Sequence, residues 1–179
     1  MSMSDEILIE VEDGVAVITF NRPEAMNTFN QAMMQGLGDA YRRCDEDDAI
    51  KAVVVTGSGK AFCAGAELQG DGDTFNTGGD MDFSSCPLSF QAWDVRKPVI
   101  AAVNGHAVGV GLGIALQADM RVFAEQGQYG LLQNRRGVVA DFAVEYLLPR
   151  MVGMERAFEL VVGAVRLSGE QAVEWGLGS

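Results

Sequence analysis

Basic side chains are scarce in this sequence: 13 Lys and Arg stand against 25 Asp and Glu in 179 residues, a formal net charge of −12. A nucleic-acid binder carries a basic stripe that displaces counterions from phosphates, so the charge balance excludes nucleic acid as a partner. Net charge sets solubility and long-range steering, whereas a site needs only local donors, so a small anionic ligand stays compatible with this acidity. Long apolar runs are missing as well. None approaches the roughly 20 residues of a membrane span, and the opening residues 1–6 lack the basic-then-apolar pattern of a secretory signal. A cytoplasmic protein with no membrane partner is expected. Histidine occurs once, at His106. Cys44, Cys63 and Cys86 are odd in number and widely spaced, which suits neither a disulfide framework nor a zinc site. They are expected to be reduced packing residues, with no metal bound. The chain shows no internal repeat and no low-complexity tail.

What is present is enough for one packed domain: 48% of residues are hydrophobic and 21% charged, the balance of an ordinary globular chain. Residues 7–11 and 15–20 are β-rich runs separated by Glu12-Asp13-Gly14 and predict a hairpin. Residues 29–44 place Met33, Met34, Leu37, Ala40, Tyr41 and Cys44 on one stripe, which predicts an amphipathic helix. Ala52–Thr56 and Val99–Val103 are fully apolar and read as strands covered on both faces by helices. Between them, 69–89 is rich in Gly, Asp, Ser and Thr and reads as a mobile loop. Residues 109–118 follow a strand and begin a helix, and 120–123 read as a further strand. Segments 142–150, 154–164 and 168–175 predict three closing helices, the last with a Ser168/Gln171 capping box. The alternation of strands and helices gives an α/β class.

Two stretches carry a resemblance: Lys60-Ala61-Phe62-Cys63-Ala64-Gly65-Ala66-Glu67-Leu68, and Lys97-Pro98-Val99-Ile100-Ala101-Ala102-Val103-Asn104-Gly105-His106-Ala107-Val108-Gly109-Val110-Gly111. Phe20-Asn21-Arg22-Pro23, Val152-Gly153 and Leu167-Ser168-Gly169-Glu170-Gln171-Ala172 support it in order and spacing. Together they resemble the crotonase superfamily, the enoyl-CoA hydratase/isomerase family. The resemblance implies an α/β crotonase-like spiral of ββα units, an acyl-CoA substrate with no separate cofactor because CoA is part of the substrate, and a homo-oligomer, a trimer or dimer of trimers. Removing a proton beside a thioester carbonyl places negative charge on its oxygen, which two preorganised peptide N–H groups stabilise. Carried over by position, those donors are Ala66 and Val110, the second at a helix start. The resemblance also implies that Ala64, Ala66, Glu67, Leu68 and Gln69 line the CoA site, with Ala25 and Met26 nearby. A dinucleotide site is the competing reading of the glycines, but Ile114 stands where G-x-G-x-x-G requires glycine.

The sequence departs from the family pattern where its hydratases carry two glutamates. The matching positions are Gly113 and Gln133, neither of which serves as an acid or base at neutral pH. Asp141, eight positions after Gln133, resembles the aspartate that some isomerases and dehalogenases of the superfamily use, and a single carboxylate suffices for a 1,3-proton shift. Its alternative role is to cap the following helix. Glu145 reads as an exposed helical charge, Glu67 as a loop-orienting group and His106 as structural, while Arg135 and Arg136 could meet CoA phosphates or an acidic acyl group, or be a solvated turn. The reading is therefore one crotonase-like core domain over 1–179 that isomerises a double bond through an enolate. Its rivals are a hydratase or thioester hydrolase, and a non-catalytic CoA-binding paralogue. The sequence stops at Gly178-Ser179, where the resemblance implies further C-terminal helices.

Overall fold

The computed structural model describes residues 5–67 and 88–179; Leu68, Gln69, Cys86 and nearly all of the expected 69–89 loop lie outside them. β1 (Ile7–Glu12) and β2 (Val15–Phe20) form the expected hairpin, paired antiparallel from Ile7↔Phe20 to Glu12↔Val15. Asp13 and Gly14 both take positive φ, 48° and 80°, a turn whose twist matches that of the strands it joins.

From there the chain shuttles between two sheets. β3 (Ala52–Gly57), β5 (Val99–Val103) and β7 (Met120–Phe123) extend the hairpin into a five-stranded sheet ordered β1-β2-β3-β5-β7. After each of these three strands comes a three-residue strand of a second sheet: β4 (Ala61–Cys63), β6 (His106–Val108) and β8 (Gln128–Gly130), closed by antiparallel β9 (Arg166–Ser168). This repeated step from one sheet to the other is the spiral that the resemblance implies. Expected full coverage of β3 and β5 is met on one face only: Val53, Val55, Val99, Ala101 and Val103 are buried, while Val54, Ile100 and Ala102 on the other face are half-buried.

α1 (Gln31–Glu46) begins two residues later than the periodicity placed it, because Asn30 caps it by accepting from the Met33 N–H at 2.8 Å. Its stripe Met33, Leu37, Ala40, Tyr41 and Cys44 is buried, with Met34 at the margin. Phe20 sits at the centre of this core, edge-on to Phe29 at 4.9 Å and to Phe62 at 5.0 Å. Asn27 is fully buried yet satisfied: it accepts from the Arg22 N–H and donates to Ser58 O and Ala61 O. α2 (Val110–Leu116) is buried along its whole length. Of the closing helices, α3 (Val144–Val152) starts at 144 and not 142, since Phe142 and Ala143 are both left-handed. α4 (Met154–Val161) ends three residues short of the expected 164, and α5 (Gly169–Glu174) has the expected Ser168/Gln171 box.

Candidate active site

Two backbone segments meet at one end of α2. Beyond β4, Phe29 N–H donates to Gly65 O and Glu67 N–H to Phe29 O, both at 2.8 Å. These bonds pin the chain on either side of Ala66, and neither uses the Ala66 N–H. Beyond β6, Gly109 turns the chain at φ 56° and ψ −118°, a conformation that side chains disfavour, and its N–H donates to Gly130 O. Val110 is then the first residue of α2, and its N–H has no acceptor within the helix. α2 has only seven residues, so this donor counts as a single oriented peptide group and not as the end of a long dipole. Gly111 holds the two segments together: a Cβ there would lie 2.2 Å from Cys63 O, so only glycine lets α2 seat directly on β4. Ala66 and Val110 line one cleft of about 520 Å³, with Met26, Ala64, Val108, Leu132 and Val138 as its apolar wall. That size suits a small-molecule site.

Asp141 is the one carboxylate among the described residues lining the cleft. Burial pushes its carboxyl above the ordinary range, opposed by hydrogen bonds from its own backbone N–H and from Gln133, with the charge of Glu145 adding to the upward shift. Capping, its alternative role, is not what it does. The N-cap of α3 is Ala143, and no side chain caps that helix. Instead Asp141 faces Gln133, whose Nε2 donates to Asp141 Oδ1 at 3.4 Å; Gln133 Oε1 is buried with no hydrogen-bond partner among the described residues. Gly113 does not reach the cleft. A Cβ placed on it would meet the Phe142 side chain at 3.1–3.4 Å, so the ring of Phe142, itself buried, fills the space beside it. Nothing in the sequence singled out Phe142, because the contact exists only once α2 and the segment before α3 are folded together.

Residues 10–179 match the Enoyl-CoA hydratase/isomerase family. The chain belongs to this family. Its relatives include the 1,2-epoxyphenylacetyl-CoA isomerase of Escherichia coli K12, 37% identical over 98% of this chain and 69% of that protein. A probable enoyl-CoA hydratase of Rhodobacter capsulatus is 38% identical over 96% of this chain and 66% of that protein. Among solved structures, a probable enoyl-CoA hydratase/isomerase from Mycobacterium abscessus superposes with a TM-score of 0.91 at 43% identity, covering 97% of this chain and 67% of that one. Across such curated relatives the chain spans 56% to 69% of their length. The crotonase fold and the family expectation therefore hold, while the relatives' names divide between hydratase and isomerase.

The remaining positions of this enoyl-CoA hydratase/isomerase family member fall into place around the cleft. Met26 lines it, whereas Ala25 does not; Ala64 lines it, whereas Glu67 turns to Arg22, which donates to its two carboxylate oxygens at 2.8 and 3.3 Å. That guanidinium holds the Glu67 carboxyl below its ordinary range, consistent with a loop-orienting role. The two arginines separate: Arg135 donates to Ala164 O at 3.0 Å, while Arg136 lines the cleft, joined by Arg166, which sequence reasoning missed. His106 also lines it, its Nδ1 accepting from the Gln128 N–H at 3.1 Å, which leaves a neutral ring's proton on Nε2. Cys63 is buried and its thiol is pushed up to about 12, which makes it a packing group and not a nucleophile. Among the described residues no helix is long and apolar enough to cross a membrane.

Proposed function

We propose that this protein shifts the double bond of an unsaturated acyl-CoA through an enolate, with the Ala66 and Val110 N–H groups as oxyanion donors and Asp141 as the proton shuttle. The observation that carries the reading is the placement of Asp141, half-buried and the one carboxylate among the described residues of the cleft, where both donors also lie. With the thioester oxygen held by two peptide donors, the Asp141 carboxylate takes a proton from one carbon, the C–H electrons move onto that oxygen, and the same proton returns to the carbon two bonds away. A carboxyl raised by burial is a better base for such a carbon acid than one held at its ordinary value. Arg136 and Arg166, lining the same cleft, suit the anionic CoA portion of the substrate. No cofactor is needed beyond the CoA already in the substrate, and we take the protein to act in the cytoplasm as a homo-oligomer.

The test is incubation with a 3-enoyl-CoA in deuterated water, following deuterium uptake and double-bond position by mass spectrometry and NMR beside Asp141→Asn. Migration or exchange that disappears in the variant supports the reading. Hydroxyacyl-CoA or free CoA as product would replace it with a hydratase or thioester hydrolase, and thioester binding without any exchange would replace it with a non-catalytic paralogue.

A further inference from the structure

Three features meet at Gln133. Its Nε2 donates to Asp141 Oδ1 at 3.4 Å, a long bond. Its Oε1 is buried and has no partner among the described residues. Its amide lies against Gly109, close enough that a Cβ on that glycine would be 3.7–3.9 Å from Cδ, Nε2 and Oε1. An unpaired buried acceptor is costly, by about 1–3 kcal/mol, and one on the same amide that bonds the Asp141 carboxyl through Nε2 invites an explanation in terms of that carboxyl's proton. A carboxylate can only accept, whereas a carboxylic acid must also donate. A side-chain amide carries a donor and an acceptor on one rigid plane, and the terminal torsion that exchanges them has a broad, roughly two-fold profile.

We propose that Gln133 is the positioning residue that holds Asp141 on both sides of proton transfer: Nε2 donates to the carboxylate, and after the amide turns over, Oε1 accepts from the protonated acid. The inference rests on Asp141 being the shuttle. As the substrate C–H bond breaks, its proton forms the O–H bond of Asp141 and its electron pair moves to the thioester oxygen; that O–H then finds Oε1 as its acceptor until the proton is returned to carbon. Leucine has the shape but neither function, and glutamate at neutral pH offers only acceptors.

Among the described residues, few charged or titratable groups bear on this carboxyl. Glu145 acts on it from α3, while Arg136, His106 from β6 and Arg166 from β9 line the same cleft. The Gln133 hydrogen bond to the carboxylate favours the ionised form by more than a bond from the neutral acid favours the protonated one, because bonds to charged groups are the stronger, so removing both raises the carboxyl further. The acidic limb of kcat/KM, which reports the base in the free enzyme, then moves to higher pH.

The experiment measures deuterium exchange from an enoyl-CoA across pH for Gln133→Leu, Gln133→Glu and Asp141→Asn, with thermal melts and thioester binding as checks on folding. Gln133→Leu is expected to lower kcat roughly 10- to 100-fold, the worth of a hydrogen bond to a charged group, with little change in KM and with the acidic limb displaced upward. Gln133→Glu displaces that limb upward as well, because a second carboxylate disfavours ionisation of the first. An unmoved limb in Gln133→Leu, beside an inactive Asp141→Asn, overturns the role of Gln133 and leaves the shuttle standing. Unimpaired exchange in Asp141→Asn removes the shuttle and this inference with it. A variant too unstable for assay is replaced by Gln133→Met, read by the same limb.

Discussion

Asp141 is held at a cost, and that cost has a measurable sign. Its carboxyl sits above the ordinary value of 3.8 because burial disfavours the ionised form. The folded chain therefore keeps this proton over a pH range in which the unfolded chain has released it, and stability from this group falls as pH rises from the unfolded value through the folded one. Asp141→Asn is expected to be more stable than the parent at pH 7, with the gain fading as pH drops toward the unfolded value; urea midpoints across that range measure it, and a less stable variant at pH 7 would contradict the burial account. Asp45 behaves in the opposite sense. Hydrogen bonds from the Arg96 side chain and backbone hold its carboxyl low, so its contribution is present near neutrality and lost in acid. Ala66 and Val110 were singled out through the family resemblance, carried by small residues that appear in order, and the structure places both on one cleft. Whether Asp141 caps a helix was not legible, because an aspartate just before a helix is the usual cap. The cap is ruled out by the φ of Phe142 and Ala143, 58° and 54°, which delays the helix to Val144. Left-handed backbone is unfavourable for both residue types, by about 1–3 kcal/mol each, and only tertiary context imposes it.

Elements were legible in proportion to their length. The six-residue strands and the sixteen-residue α1 show a period that a sequence can reveal. β4, β6, β8 and β9, three residues each, are too short to show one, so the second sheet was invisible although it forms the floor from which Ala66 and Val110 project. The packing of α2 against the segment before α3 is testable at this scale. Gly113 and Phe142 divide one volume between them, so a side chain at 113 must displace the ring. Gly113→Glu alone is expected to destabilise by about 1–3 kcal/mol through overpacking. Phe142→Gly alone loses a buried ring, a deletion of the kind that costs about 3–5 kcal/mol, offset in part by relief of its left-handed backbone. Combined, the changes should cost less than their sum by on the order of 1–2 kcal/mol, because each provides what the other lacks. Chemical denaturation of the four proteins gives the coupling, and strict additivity would mean that the ring does not occupy the space facing Gly113.

At the scale of the whole molecule, charge and apolar surface oppose each other. A net charge of −12 makes copies of this chain repel, yet α4 and its C-cap residue present Met154, Phe158 and Val162 at 72%, 63% and 52% exposure. Their spacing of four residues puts them on one helical face, and Ala157 and Leu160 bury the other. Tyr146 of α3 is exposed as well, with Arg150 3.6 Å over its ring. A stripe of this kind marks a contact surface, in keeping with the homo-oligomer proposed above. If association is apolar and opposed by charge, screening should strengthen it: the repulsion between two acidic copies fades with salt, while apolar burial does not. Sedimentation of the protein at low and high ionic strength is expected to show larger assemblies at high salt. Phe158→Lys, set in the middle of the stripe and outside the cleft, should shift the population toward monomer at both. Association that weakens with salt would place the contact among charged groups elsewhere, and association unchanged in Phe158→Lys would remove α4 from the interface.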